Sequence, residues 1–86
     1  MKDQRRESRR PADGEVQLWS DSEPLRISAR LLDISRQGFR AAHSYAAIAA
    51  GQELSYCHPL SAGRARVVWS RVLNGRVESG FFVLPG

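Results

Sequence analysis

A chain of 86 residues, 42% apolar and 26% charged, is large enough for one packed core, too small for two, and too apolar to stay wholly unfolded. Of its net charge of +4, residues 1–10 hold +3, from five basic and two acidic groups, leaving only +1 for residues 11–86. No apolar run approaches the roughly 18 residues that span a bilayer, the polar start has no signal-peptide stretch, and a lone Cys57 allows no internal disulfide; a cytoplasmic domain without membrane insertion is expected.

Residues 1–13 lack apolar periodicity and end in the breaker cluster Pro11-Ala12-Asp13-Gly14. They read as a flexible arginine-rich arm, with a single folded domain over residues 14–86. Of the 13 basic residues 12 are arginine, whose planar fork suits phosphate and base recognition. Val16 and Leu18 alternate with polar residues as a first strand, and Asp21-Ser22-Glu23-Pro24 supplies a turn. Leu25, Ile27, Ala29 and Leu31 then share one parity, the clearest strand in the chain.

That strand ends in Asp33-Ile34-Ser35-Arg36-Gln37-Gly38, a D-x-S-x-x-G turn, and another strand starts at Gly38. Asp33 and Ser35 lie two apart, so they share a face where the chain is extended. Residues 45–50 favour a short helical turn closed by Gly51. Strands follow at residues 53–57 and 65–69, Asn74-Gly75 predicts a type I′ hairpin turn, and Val77, Ser79, Phe81 and Val83 alternate in a last strand. About six strands and at most one helical turn imply an all-β barrel or sandwich.

Catalytic and metal signals are weak. His43 and His58 lack metal-ligand spacing and are expected on the surface or in loops, with no metal site. Cys57 and His58 are neighbours, so on a strand they point to opposite faces and form no nucleophile–base dyad. Cys57 is expected as a small apolar filler. No G-x-S-x-G, Walker or Rossmann pattern is present, so no enzyme activity and no cofactor are expected.

The arginine run and the D-x-S-x-x-G turn, 24 residues apart from Arg9 to Asp33, together resemble the PilZ family of small β-barrel receptors for bacterial cyclic di-GMP. Arg5 and Arg9 match its R-x-x-x-R motif, with Arg6 as the doubled arginine; Arg6 with Arg10 is the alternative register. Asp33, Ser35 and Gly38 match its second motif, and the likeness extends through Ala50-Gly51-Gln52-Glu53-Leu54, Val67-Val68-Trp69 and Gly80-Phe81-Phe82. The resemblance implies a six-stranded antiparallel barrel that binds cyclic di-GMP. It also implies a downstream protein partner in motility, exopolysaccharide synthesis or biofilm formation.

On that reading Arg5 and Arg9 meet phosphate or guanine, Asp33 accepts from guanine N1–H and N2–H, and Ser35 bonds base or phosphate. Gly38 admits close backbone approach, Arg6 and Arg10 add secondary contacts, and Trp69 either walls the site by stacking or packs the barrel. Ligand binding is expected to order the arm against the barrel. The alternatives are a basic β-barrel binding nucleic acid, disfavoured by 8% aromatic content without a stacking motif, and an adaptor with a merely solubilising arm.

Overall fold

The period-two segments become antiparallel strands in the computed structural model, which describes residues 9–20, 26–45 and 48–85. In chain order these are β1 (Arg10–Pro11), β2 (Glu15–Trp19), β3 (Arg26–Ile34), β4 (Gly38–His43), β5 (Glu53–His58), β6 (Ser61–Leu73) and β7 (Arg76–Val83). Six of them close a barrel in the order β3-β2-β5-β6-β7-β4, sealed by β3–β4 pairing, while β1 pairs with the far end of β3. Closure leaves few strand edges bare, which a small β domain otherwise has to protect.

Alternation fills the interior. Val16 and Leu18 of β2, Ile27, Ala29 and Leu31 of β3, and Phe81 of β7 are buried, and Phe39 stacks on Phe81 with ring centroids 4.8 Å apart. Each large side chain removed from water contributes about 1.5–3 kcal/mol, enough to hold a barrel of this size. The Asn74-Gly75 turn has φ of 49° and 82°, both positive as type I′ requires, and joins β6 to β7 as expected.

Two bulges interrupt this regularity. Leu31 pairs with Ala41 but Asp33 pairs with Arg40, so Leu32 is an extra residue in β3. Val67 pairs with Phe81 but Trp69 pairs with Gly80, so Val68 is an extra residue in β6. An extra residue reverses the facing of everything after it. Leu31 and Val67 point into the core, whereas Asp33 and Trp69 are turned onto the outer surface beside Arg40 and Gly80.

Several expectations change. Pairing begins ahead of residue 14: Arg10 and Pro11 pair with Ile34 and Asp33, and Ala12 N–H donates to the carbonyl of the bulged Leu32 at 3.1 Å. The bulge frees a carbonyl and the leading segment satisfies it. The strand expected over residues 65–69 runs from Ser61 to Leu73. The expected helical turn at residues 45–50 lies partly outside the described residues; its described part holds a turn at Ala50 with no helix. The turn expected at residues 21–24 also lies outside them.

Cys57 is not an interior filler but exposed, because Tyr56 takes the inward position on β5. His43 and His58 are not surface residues but buried. Among the described residues no helix is long and apolar enough to cross a membrane.

Candidate functional site

The two bulges build one row across four strands. On the outer surface Asp33 of β3 faces Arg40 of β4, Arg40 faces Gly80 of β7, and Gly80 faces Trp69 of β6. Gly80 is required by its neighbour: a Cβ there would lie 2.5 Å from the Trp69 indole nitrogen. The indole therefore lies across a strand with no side chain of its own, and Arg71 stacks over its ring at 5.1 Å.

Asp33 is the charge centre of the row and is only 7% exposed. Its Oδ1 accepts from Arg9 Nη1 at 2.6 Å. Its Oδ2 accepts from Arg40 Nε at 2.7 Å and forms an ion pair with Arg40 Nη2 at 2.5 Å. Arg40 Nη1 also stands 3.9 Å from Glu78. The bond to Asp33 is the main reason that Arg40 is pushed above its ordinary guanidinium range, with the nearby charges of Asp33 and Glu78 adding to it against the cost of burial. Glu78 is also paired with Arg76 at 2.9 Å, so three cations, Arg9, Arg40 and Arg76, face two buried carboxylates, an excess of one positive charge suited to an incoming anion.

Beside this row lies a cavity of about 250 Å³ lined by Arg9, Ser35, Gly38, Trp69, Gly80 and Phe82, among others. The turn forming its floor is tied in three ways. Ser35 N–H donates to the Gly38 carbonyl at 2.9 Å and Val83 N–H to the Gln37 carbonyl at 2.8 Å, while Ser35 Oγ donates to Gly38 at 3.4 Å. Gly38 is needed for close approach and not for a positive φ, since a Cβ there would overlap the Phe81 carbonyl oxygen.

Of the residues singled out from sequence, Arg9, Ser35, Gly38 and Trp69 share this cavity, and Asp33 adjoins it through Arg9. Arg10 does not: it lines a separate groove with Pro11, Ala12, Asp13 and Leu60. Arg10 opens β1 opposite Ile34, whereas Arg9 precedes the strand and reaches Asp33. Arg5 and Arg6 lie outside the described residues. Trp69 is half-buried on the outer surface, so it walls the cavity and is not part of the interior. Phe82 is an additional lining residue, and Arg40 joins the site through Asp33 without lining the cavity.

A second polar group lies inside the barrel. His43 Nδ1 accepts from Tyr45 N–H at 3.0 Å, so the neutral ring carries its proton on Nε2 and donates to Ser79 Oγ at 2.8 Å. Ser79 Oγ is in turn 2.6 Å from Ser70 Oγ. A serine nucleophile needs the opposite polarity, with imidazole accepting from hydroxyl. Burial pushes both His43 and His58 below the ordinary imidazole pKa, keeping them neutral. Leu60 N–H donates to His58 Nδ1 at 3.2 Å. Among the described residues no group of three or more His, Cys, Asp and Glu side chains is placed to hold a metal ion.

In comparison with known proteins, the chain matches no protein-family model and no curated protein.

Proposed function

We propose that the chain is a non-enzymatic receptor for cyclic di-GMP, reading one guanine at the outer row and the phosphates through arginine. The observation that carries this reading is the convergence of Arg9, Ser35, Gly38 and Trp69 on one cavity beside the buried Asp33 carboxylate. Each component has a matching part of the ligand. A carboxylate accepts from the guanine N1–H and N2–H edge, an indole face stacks on a purine, and a guanidinium pairs with phosphate.

At about 250 Å³ the cavity is smaller than the roughly 300–1,000 Å³ typical of drug-sized ligands, which suits a single base with the rest of the dinucleotide lying over Arg9. The proton direction at His43–Ser79 supports a receptor without hydrolytic chemistry. Residues 9–12 already bond β3 in the protein alone, so this part of the arm is docked before ligand arrives.

Isothermal titration with cyclic di-GMP, with GMP as control, tests this. Saturable binding is expected, with at least a thirtyfold loss (about 2 kcal/mol) in both Arg9→Ala and Asp33→Ala. Absence of binding to the folded wild-type protein discards the reading. Titration with single-stranded RNA across a salt series then separates the rivals: steeply salt-dependent binding that tolerates Asp33→Ala identifies a nucleic-acid module, and no binding leaves an adaptor.

A further inference from the structure

The two arginines on Asp33 are not equivalent. Arg40 holds Oδ2 with two nitrogens, Nε by a hydrogen bond and Nη2 by an ion pair, and is set mid-strand in β4, between Asp33 on β3 and Gly80 on β7, with Glu78 as a second anion nearby. Arg9 holds Oδ1 with one nitrogen, is 44% exposed at its side chain, and precedes a strand of two residues. Arg9 also lines the cavity. One contact is therefore built into the middle of the barrel wall and the other into the segment that leads into β1.

A guanidinium and a guanine edge look alike to a carboxylate. Both offer adjacent N–H donors on a planar conjugated frame. We propose, resting on the receptor reading above, that Arg9 is an internal stand-in for the guanine edge and that Arg40 is the positioning residue keeping Asp33 in place while Arg9 is exchanged for ligand. Guanine enters by displacing Arg9 from Oδ1; Arg40 keeps Oδ2 and stops the carboxylate from swinging after the departing cation. Arg9, released beside a ligand with two phosphates, transfers to a phosphate oxygen.

Two properties follow. A purine whose edge presents an acceptor where guanine has N1–H cannot replace Arg9 on the carboxylate, so the exchange itself selects guanine over adenine. Occupancy is also passed to the arm, because the contact that ties Arg9 to the barrel becomes a contact to the ligand.

Guanosine distinguishes a stand-in from a simple ligand contact, because it has the guanine edge but no phosphate for Arg9 to bind. Binding of guanosine and of cyclic di-GMP to wild-type, Arg9→Ala, Arg40→Ala and Arg40→Lys protein is followed by amide chemical-shift titration, which also verifies the fold of each variant. Arg9→Ala is expected to bind guanosine at least fivefold more tightly and cyclic di-GMP at least thirtyfold more weakly. Arg40→Ala is expected to lose at least tenfold for both ligands, with partial rescue by Arg40→Lys. Guanosine binding unchanged or weakened by Arg9→Ala overturns the stand-in, and full affinity in Arg40→Ala overturns the positioning role, in both cases with the receptor reading intact if wild type binds cyclic di-GMP. Failure of folded wild type to bind either ligand overturns both.

Discussion

Two polar groups sit back to back on the β4–β7 ladder, one on each side of the barrel wall. Inside, His43, Ser79 and Ser70 form a neutral chain in which the imidazole donates to Ser79 and the two hydroxyls share a hydrogen bond. Outside, the groups are charged, and the three cations Arg9, Arg40 and Arg76 outnumber the two carboxylates Asp33 and Glu78. The ladder passes from one to the other in a single step, Ser79 facing in and Gly80 facing out. A buried polar group satisfied by its neighbours stabilises the fold and has nothing left to offer. A group with charge in excess, opening on a cavity, can take a ligand.

That contrast is broken most directly at the two neighbours. Gly80→Ala drives a Cβ into the Trp69 indole and displaces the cavity wall; cyclic di-GMP affinity is expected to fall at least tenfold, with a stability loss of about 1–3 kcal/mol from overpacking. Ser79→Ala leaves His43 Nε2–H without its acceptor, with an expected loss of about 1–3 kcal/mol in urea unfolding and under a threefold change in affinity. Equal binding losses in the two variants, measured by titration under conditions where both are folded, would show that the wall transmits what happens inside and remove the distinction.

The interior chain also predicts a pH dependence. His43 and His58 have folded pKa values lowered by burial from the ordinary 6.5. The unfolded chain therefore takes up protons first as pH falls, so stability is full above about pH 7 and declines through the region below 6.5, levelling only below the folded values. Urea midpoints between about pH 8 and 5.5, above the ordinary carboxylate range, are expected to drop on acidification. A His43→Gln variant should show a shallower drop; an unchanged slope would assign the dependence to His58.

Much of the outer site was legible because its residues belong to a spaced pattern: Arg9 of the arginine run, Asp33, Ser35 and Gly38. Its geometry was not. Counting by twos from Leu31 puts Asp33 on the core side, and only the extra Leu32 turns it out to meet Arg40. Bulges depend on pairing partners far along the chain, so neither this one nor that at Val68 has a local signature. Arg40 was missed for the same reason, since its meeting with Asp33 depends on register. The interior chain did leave a trace. Ser79 shares parity with Val77, Phe81 and Val83, and His43 with Phe39 and Ala41, so each is a polar residue on an otherwise apolar face. Two such residues on adjacent strands are candidates for a buried hydrogen bond.

The smallest expected effect is at Arg10, and it tests how strictly position, and not charge, defines the outer site. Arg9 and Arg10 are chemically identical and adjacent, so a site built on diffuse attraction loses similar affinity when either is removed. Here the two have different surroundings: Arg9, just before β1, bonds Asp33 and lines the cavity, whereas Arg10, in β1, opposes Ile34 and borders the groove near Leu60. Arg10 also makes no ion pair among the described residues, so its removal costs only a screened surface charge, worth under about 0.5 kcal/mol. Arg10→Ala is therefore expected to weaken cyclic di-GMP binding by less than threefold in a titration where Arg9→Ala loses at least thirtyfold. Comparable losses would mean that the arm shifts to the Arg6 and Arg10 register when ligand binds.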